Sequence, residues 1–250
     1  MVLINELSNP SKRTSILMRY FAKYLIEIRG LKQSSVNHYF DALKHISKRL
    51  REKGIVKEDI YEITELSDLL SVKEILYKDK DFVELNERGN HMYSSGLDNY
   101  IRFAKGDDFS NVGNKINYFD IPFKKPEQEE NSSSSWKRST ILRSQVINMS
   151  NYKCEINPNH ISFIAQATKM PYMEGHHVIP MRLQKQFENS LDVYANIVCL
   201  CPLCHRKIHY GLNEERIIMV QNIYAKRADR LVHSGIKLSK DEFTNIVINQ

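Results

Sequence analysis

No stretch of the chain approaches the roughly 18 uncharged apolar residues that a membrane-spanning helix requires, so no membrane segment is expected. Residues Met1 to Asn9 have neither the basic start nor the apolar core of a secretory signal. With only 9 Gly and 7 Pro in 250 residues, collagen-like and low-complexity architectures are excluded. Cysteine is scarce and misplaced for a disulfide framework. Cys154, Cys199, Cys201 and Cys204 all fall in the second half, three of them within six residues. That usage points to a reducing compartment and to metal binding, and the expectation is a soluble cytoplasmic protein. What is present suffices for a core: 42% hydrophobic residues and 10% aromatics.

Lys and Arg outnumber Asp and Glu by 36 to 30, a mild bias toward anionic partners. The distribution says more than the total. Residues 11–57 hold 12 basic against 3 acidic side chains, residues 58–108 hold 6 against 13, and residues 111–250 hold 18 against 13.

Apolar residues from Thr14 to Ile28 (Ile16, Leu17, Tyr20, Phe21, Tyr24, Leu25, Ile28) recur at three and four, the period of an amphipathic helix, and Gly30 ends it. Ser34 or Ser35 is placed to cap a second helix with the stripe Val36, Tyr39, Phe40, Leu43, Ile46 and Leu50. Its outward face carries Lys44, Lys48, Arg49, Arg51 and Lys53. One or two shorter helices follow around Leu66 to Leu70, with Ser71 and Glu74 in capping-box spacing, and another runs from about Asn90 to Ala104. Residues 1–106 therefore read as an all-helical domain. The pattern of an aromatic-anchored helix, Gly30-Leu31, a Ser pair and Val36-x2-Tyr39-x3-Leu43 resembles the core-binding domain of tyrosine recombinases. That resemblance implies a DNA-contacting role; the charge pattern makes the five basic residues the expected phosphate contacts, with the acidic block, Glu58 to Asp108, facing away from DNA.

Residues 107–135, with Gly113, Pro122, Pro126, the charged run Glu127 to Glu130 and four serines, read as a linker. Beyond it, helices are expected from Thr140 to Met149, from Asn213 to Val232 with Lys226, Arg227 and Arg230 outward, and from Leu238 to Ile248, where Ser239 and Glu242 make a capping box.

Five of the nine histidines and all four cysteines lie between residues 152 and 211. Glu174-Gly-His-His-Val-Ile-Pro180 reads as a strand stopped by a proline, on which His176 and His177 point to opposite faces. Asn196 opens the apolar run Ile197 to Leu200. In Cys201-Pro-Leu-Cys-His-Arg-Lys-Ile-His209, Pro202 suits a first helical turn, and His205 and His209 at i and i+4 share one face.

His-His-x-x-Pro followed by Asn-x8-His-x3-His resembles the HNH nuclease family, closest to HNH restriction endonucleases, including those acting on modified DNA. The resemblance implies a ββα-metal fold in which His177 is the general base and Asn196 braces the loop and orients that base. It also implies that His176, His205 and His209 bind a catalytic divalent ion. Three imidazoles suit Zn, Ni, Mn or Co better than Mg, but HNH enzymes also use Mg, so the ion stays open. Cys201-x2-Cys204 has the spacing of half a structural zinc site. Relatives supply the other half from an upstream C-x2-C, whereas here Cys154 is followed by no second cysteine and His160 is the nearest substitute. Cys199 reads as a small buried apolar residue, and Arg206 and Lys207 as candidate phosphate contacts.

The expected fold class is α+β: a helical domain (1–106), a linker (107–135) and a C-terminal HNH domain (136–250) with a structural zinc. The expected activity is metal-dependent hydrolysis of double-stranded DNA in restriction, with a homodimer left open. Rival readings are a homing or toxin nuclease and a non-catalytic zinc-stabilised DNA-binding protein. A plain zinc knuckle built on His205 or His209 would leave His176, His177 and Asn196 without a role.

Overall fold

The computed structural model describes residues 15–125, 136 and 138–249. It divides after Asp108 into two compact units.

In the first unit, α1 (Ile16–Lys23) runs into a wider π turn (Tyr24–Ile28), and Gly30 closes it at φ +63°, where a side chain would be strained. Four more helices follow: α2 (Gln33–Glu52), α3 (Leu66–Lys78), α4 (Lys80–Arg88) and α5 (Met92–Lys105). The core is aromatic. Phe21 meets Phe40, Tyr100 and Phe103 at centroid distances of 5.6, 5.2 and 5.5 Å, and Tyr61 sits edge-on to Tyr100 at 5.1 Å. Helices α2 and α5 pack closely because Gly96 has no side chain: a Cβ there would lie 2.8 Å from that of Ala42.

Two expected caps are corrected. Helix α2 begins after Lys32 with no side-chain cap, ahead of the Ser pair. Ser71 lies inside α3 and donates its hydroxyl to the Ser67 carbonyl, because the stripe Leu69, Val72, Leu76 carries the helix through it. Part of the acidic block pairs with the basic helix. Arg49 and Lys53 reach Asp79 at 3.0 and 2.8 Å. Lys53 first, then Arg49, hold the Asp79 carboxyl down to about 2. Arg51 donates to the Glu58 carbonyl, and Lys48 lies 4.0 Å from Glu52. Lys44 and Lys48 are exposed.

The second unit centres on a two-stranded antiparallel sheet, β1 (Glu174–His177) and β2 (Ile197–Leu200), with Gly175 opposite Cys199 and His176 opposite Val198. Helix α6 (Thr140–Met149) packs on both strands and α7 (Pro202–Tyr210) joins them; α8 (Asn213–His233) packs on α7, and α9 (Lys240–Ile248) on α8. Ser139 caps α6, and Ser239 with Glu242 forms the expected capping box on α9. Gly175 lets β1 lie against α6, since a Cβ there would be 2.8 Å from that of Arg143.

Residues 109–125 correct the linker reading. Phe109, Phe119 and Phe123 are buried, and Phe119 packs edge-on to Tyr194 at 5.7 Å. Three well-spaced aromatics supply the buried face that the Gly and Pro content seemed to deny. Residues 126–135 lie outside the described residues.

The outward placement of Arg227 and Arg230 is corrected as well. Arg227 is buried and bonds both Glu155 oxygens, at 2.7 and 2.6 Å, and the Tyr194 carbonyl at 3.0 Å. Glu155 also accepts the Cys199 N–H at 2.8 Å. Arg230 pairs with buried Asp120 at 2.9 Å. Removing one partner of such a pair strands the other's charge. Arg227→Ala is therefore expected to lower unfolding free energy by about 3–5 kcal/mol, measured by urea denaturation; a change under about 1 kcal/mol would place this pair with ordinary surface ion pairs.

Candidate active site and metal centre

Strand β1 presents His176 and His177 to opposite sides, and each meets a different set of partners. His176 turns toward α7, where His205 and His209 stand one turn apart. The three ring centroids lie 4.8, 4.9 and 5.1 Å from one another. One ring nitrogen from each lies within 4.8 Å of the others. The His176 Nε2 is shielded from water and makes no hydrogen bond, a costly state for a polar atom that coordination of a cation would resolve. Burial, then the neighbouring His205 and His209, push the His176 imidazole well below its ordinary value, and burial followed by His205 lowers His209. Both imidazoles are therefore neutral near pH 7, the form that binds metal.

Glu174, two residues before His176, pairs with Nδ1 of His205 and accepts the Tyr172 hydroxyl at 3.2 Å. A carboxylate on one ring nitrogen fixes the tautomer that leaves the other free as a ligand. This contact is absent from the sequence reading, which treated Glu174 only as the start of a strand.

His177 faces the other way, with its Nε2 2.7 Å from Asp192 Oδ1. Asn196 is wholly buried in the loop: its Oδ1 accepts the Ile179 N–H at 2.8 Å, and its amide donates to the carbonyls of Ile179 and Leu191 at 3.0 and 2.9 Å. The side chain touching His177 is Asp192.

Cys154, His160, Cys201 and Cys204 form a second cluster whose ligand atoms all lie within 4.8 Å. His160 Nδ1 is 3.3 Å from Cys204 Sγ and 3.6 Å from Cys201 Sγ. Cys201 caps α7, accepting the Cys204 N–H at 3.5 Å. A hydrogen bond from the Cys204 thiol holds Cys154 low, with help from backbone N–H groups, and the same bond pushes Cys204 up. Three sulfurs and one imidazole, mostly buried, fit a closed structural zinc site. Cys199 lies outside it, with a thiol that burial pushes up to about 12.

Among the other expected contacts, Arg206 is exposed on α7, whereas Lys207 is paired with Glu215 at 2.8 Å. Lys44, Lys48, Arg49, Arg51 and Lys53 belong to the first unit.

Residues 157–211, which hold His160, both strands and α7, match the HNH endonuclease family. Over 107 residues the chain is 28% identical to the type IV methyl-directed restriction enzyme EcoKMcrA of Escherichia coli (strain K12), a match covering 43% of this chain and 36% of that enzyme. The chain thus spans about a third of the relative's length. No solved structure matches it. Among the described residues, no helix is long and apolar enough to cross a membrane.

The membership of the Cys3His cluster predicts a selective loss. Cys201→Ser is expected to release one zinc per chain and to lower the thermal midpoint sharply, because binding energy at such a site is folding energy. Cys199→Ser should leave zinc content unchanged. Elemental analysis of both proteins checks this, and an unchanged zinc content in Cys201→Ser would remove that cysteine from the site.

Proposed function

We propose that the protein is a metal-dependent endonuclease that hydrolyses DNA phosphodiester bonds, and that its role is restriction directed by base modification. The observation that carries this reading is the split on β1: an imidazole triad on one face and a lone, buried imidazole on the other, within a segment matching HNH endonucleases. Substrate choice rests on the relative, a methyl-directed enzyme, and double-stranded DNA is the substrate class.

Hydrolysis needs a water that loses a proton as it attacks phosphorus, and a cation where charge develops. In this reading His177 takes that proton, as a neutral imidazole near pH 7 is able to do. The water oxygen forms the new P–O bond while the bond to the leaving sugar oxygen breaks, its electron pair staying on that oxygen until solvent protonates it. His176, His205 and His209 would hold a divalent ion, which would supply positive charge where negative charge develops during phosphodiester hydrolysis. Glu174 keeps His205 oriented for that ion, and Asn196 holds the loop behind the base. Arg206 offers a phosphate contact from α7.

His177→Ala is expected to lower the cleavage rate about 100-fold or more while calorimetric affinity for Mn²⁺ stays unchanged. His209→Ala should weaken that affinity. Plasmid cleavage by His177→Ala at the wild-type rate would remove His177 as base. Wild-type protein that binds DNA but never cuts it, modified or unmodified, would favour a zinc-stabilised DNA-binding protein instead.

The first unit is proposed to add phosphate contacts. Lys44 and Lys48 are the exposed candidates, whereas Arg49 and Lys53 are already held by Asp79. Neutralising Lys44 and Lys48 together should weaken binding and lower the salt-dependence slope by roughly one unit per lost contact. Unchanged affinity and slope in a salt titration would assign this helix to dimerisation or to another partner.

A further inference from the structure

We propose that Asp192 is the positioning residue for the His177 base, fixing its proton on Nε2 so that Nδ1 is the nitrogen presented to the attacking water. The proposal rests on the nuclease reading above and adds to it a residue outside the HNH motif.

The His177 Nε2 to Asp192 Oδ1 distance is 2.7 Å, between side chains 6% and 13% exposed. A carboxylate only accepts, so Nε2 carries the hydrogen, and a neutral imidazole then has its lone pair on Nδ1. The carboxylate cannot turn away. Its Oδ2 accepts the backbone N–H of Ser139 at 2.9 Å, and its own backbone N–H is given to Ser190 Oγ at 3.2 Å. Ser139 is fully buried and its hydroxyl caps α6, which fixes where that N–H points. Asn196 cannot do the same work, since its amide is spent on Ile179 and on Leu191, the residue before Asp192. Asn196 thus holds the segment, and Asp192 holds the ring.

The Ser139 contact gives the proposal a sharp consequence. Ser139 N–H is a fixed donor and cannot be reversed. In Asp192→Asn the amide oxygen must face Ser139, which turns the NH₂ group toward His177 Nε2. That nitrogen must then accept, so the ring proton moves to Nδ1 and the base is blocked. The isosteric Asn variant imposes the wrong tautomer, whereas Asp192→Ala only releases the ring to choose either one. An aspartate that matters through packing alone would show the opposite order, because Ala leaves a cavity and Asn does not.

The test compares Asp192→Asn and Asp192→Ala in the full-length, zinc-containing protein. Long-range ¹H–¹⁵N correlation spectra of histidine-labelled protein should place the His177 hydrogen on Nε2 in wild type and on Nδ1 in Asp192→Asn. Turnover should fall about 100-fold or more in Asp192→Asn, with KM for DNA and the thermal midpoint nearly unchanged, and less in Asp192→Ala. An Nε2 hydrogen retained in Asp192→Asn, or turnover lower in Ala than in Asn, overturns the proposal. The spectra decide this without any cleavage. A failure of the nuclease reading, seen as uncut DNA with wild type or full activity in His177→Ala, is therefore told apart from a failure of the Asp192 assignment.

Discussion

Side chains on a β-strand alternate between its two faces, and the four residues of β1 turn that alternation into a division of chemistry. One face receives the imidazoles of α7, the other the carboxylate of Asp192. Neither arrangement tolerates a slip in pairing, since moving β1 by one residue against β2 would exchange His176 and His177 between them. The register is defended from behind by Gly175, whose missing side chain is what lets the strand lie on α6. The same helix sets Ser139, and through it Asp192. Gly175 and His177 share a face of the strand, so the backbone packing of α6 and the polar geometry of the base are set on the same side.

Helix α7 is only nine residues long, well short of the length at which an isolated helix is stable in water. It exists because its surroundings hold it. Cys201 caps its start within the Cys3His cluster, and buried Arg216 donates to the Ile208 carbonyl near its end at 2.9 Å while reaching the Ile248 carbonyl of α9 at 3.0 Å. Further back, Glu155, next to Cys154, is locked by Arg227 of α8 and by the Cys199 N–H. The segment bearing Cys154 is thus tied both to β2 and to α8.

Much of this was legible in the sequence, because the signals are local. Apolar spacing gave the helices from Ile16 to Ile28 and from Thr140 to Met149, and the i, i+4 pair His205 and His209 with Pro202 gave α7. The Cys154, His160, Cys201 and Cys204 grouping followed from the Cys201-x2-Cys204 spacing and the family resemblance, with His160 as the nearest substitute for a missing cysteine, and the four do gather. What escaped was non-local or context-dependent. Asp192 stands 15 residues from His177 in a loop with no periodicity, and only the fold brings them together. Arg227 sits at the edge of an apolar stripe and was placed outward by charge alone. Its partner Glu155 lies 72 residues earlier, beyond any pattern in the helix. Ser71 has capping spacing, but a cap needs a non-helical backbone at its own position, and the leucines on either side keep that backbone helical. Phe109, Phe119 and Phe123 were too widely spaced to outweigh the neighbouring Gly and Pro.

Cys204 and His205 are adjacent in the chain yet serve different clusters. Each residue of a helix turns the next by about 100°, so one extra residue between them would swing both downstream imidazoles away from His176 while leaving the cysteines in place. A deletion would do the same in the opposite sense. A change of length between Cys204 and His205 would thus separate the two clusters, whereas the excursion between His160 and Glu174, where Ile161, Phe163 and Ile164 are exposed, carries no such phase constraint. The nine residues of α7 behave as a ruler whose graduations, unlike its surface, are not free to drift.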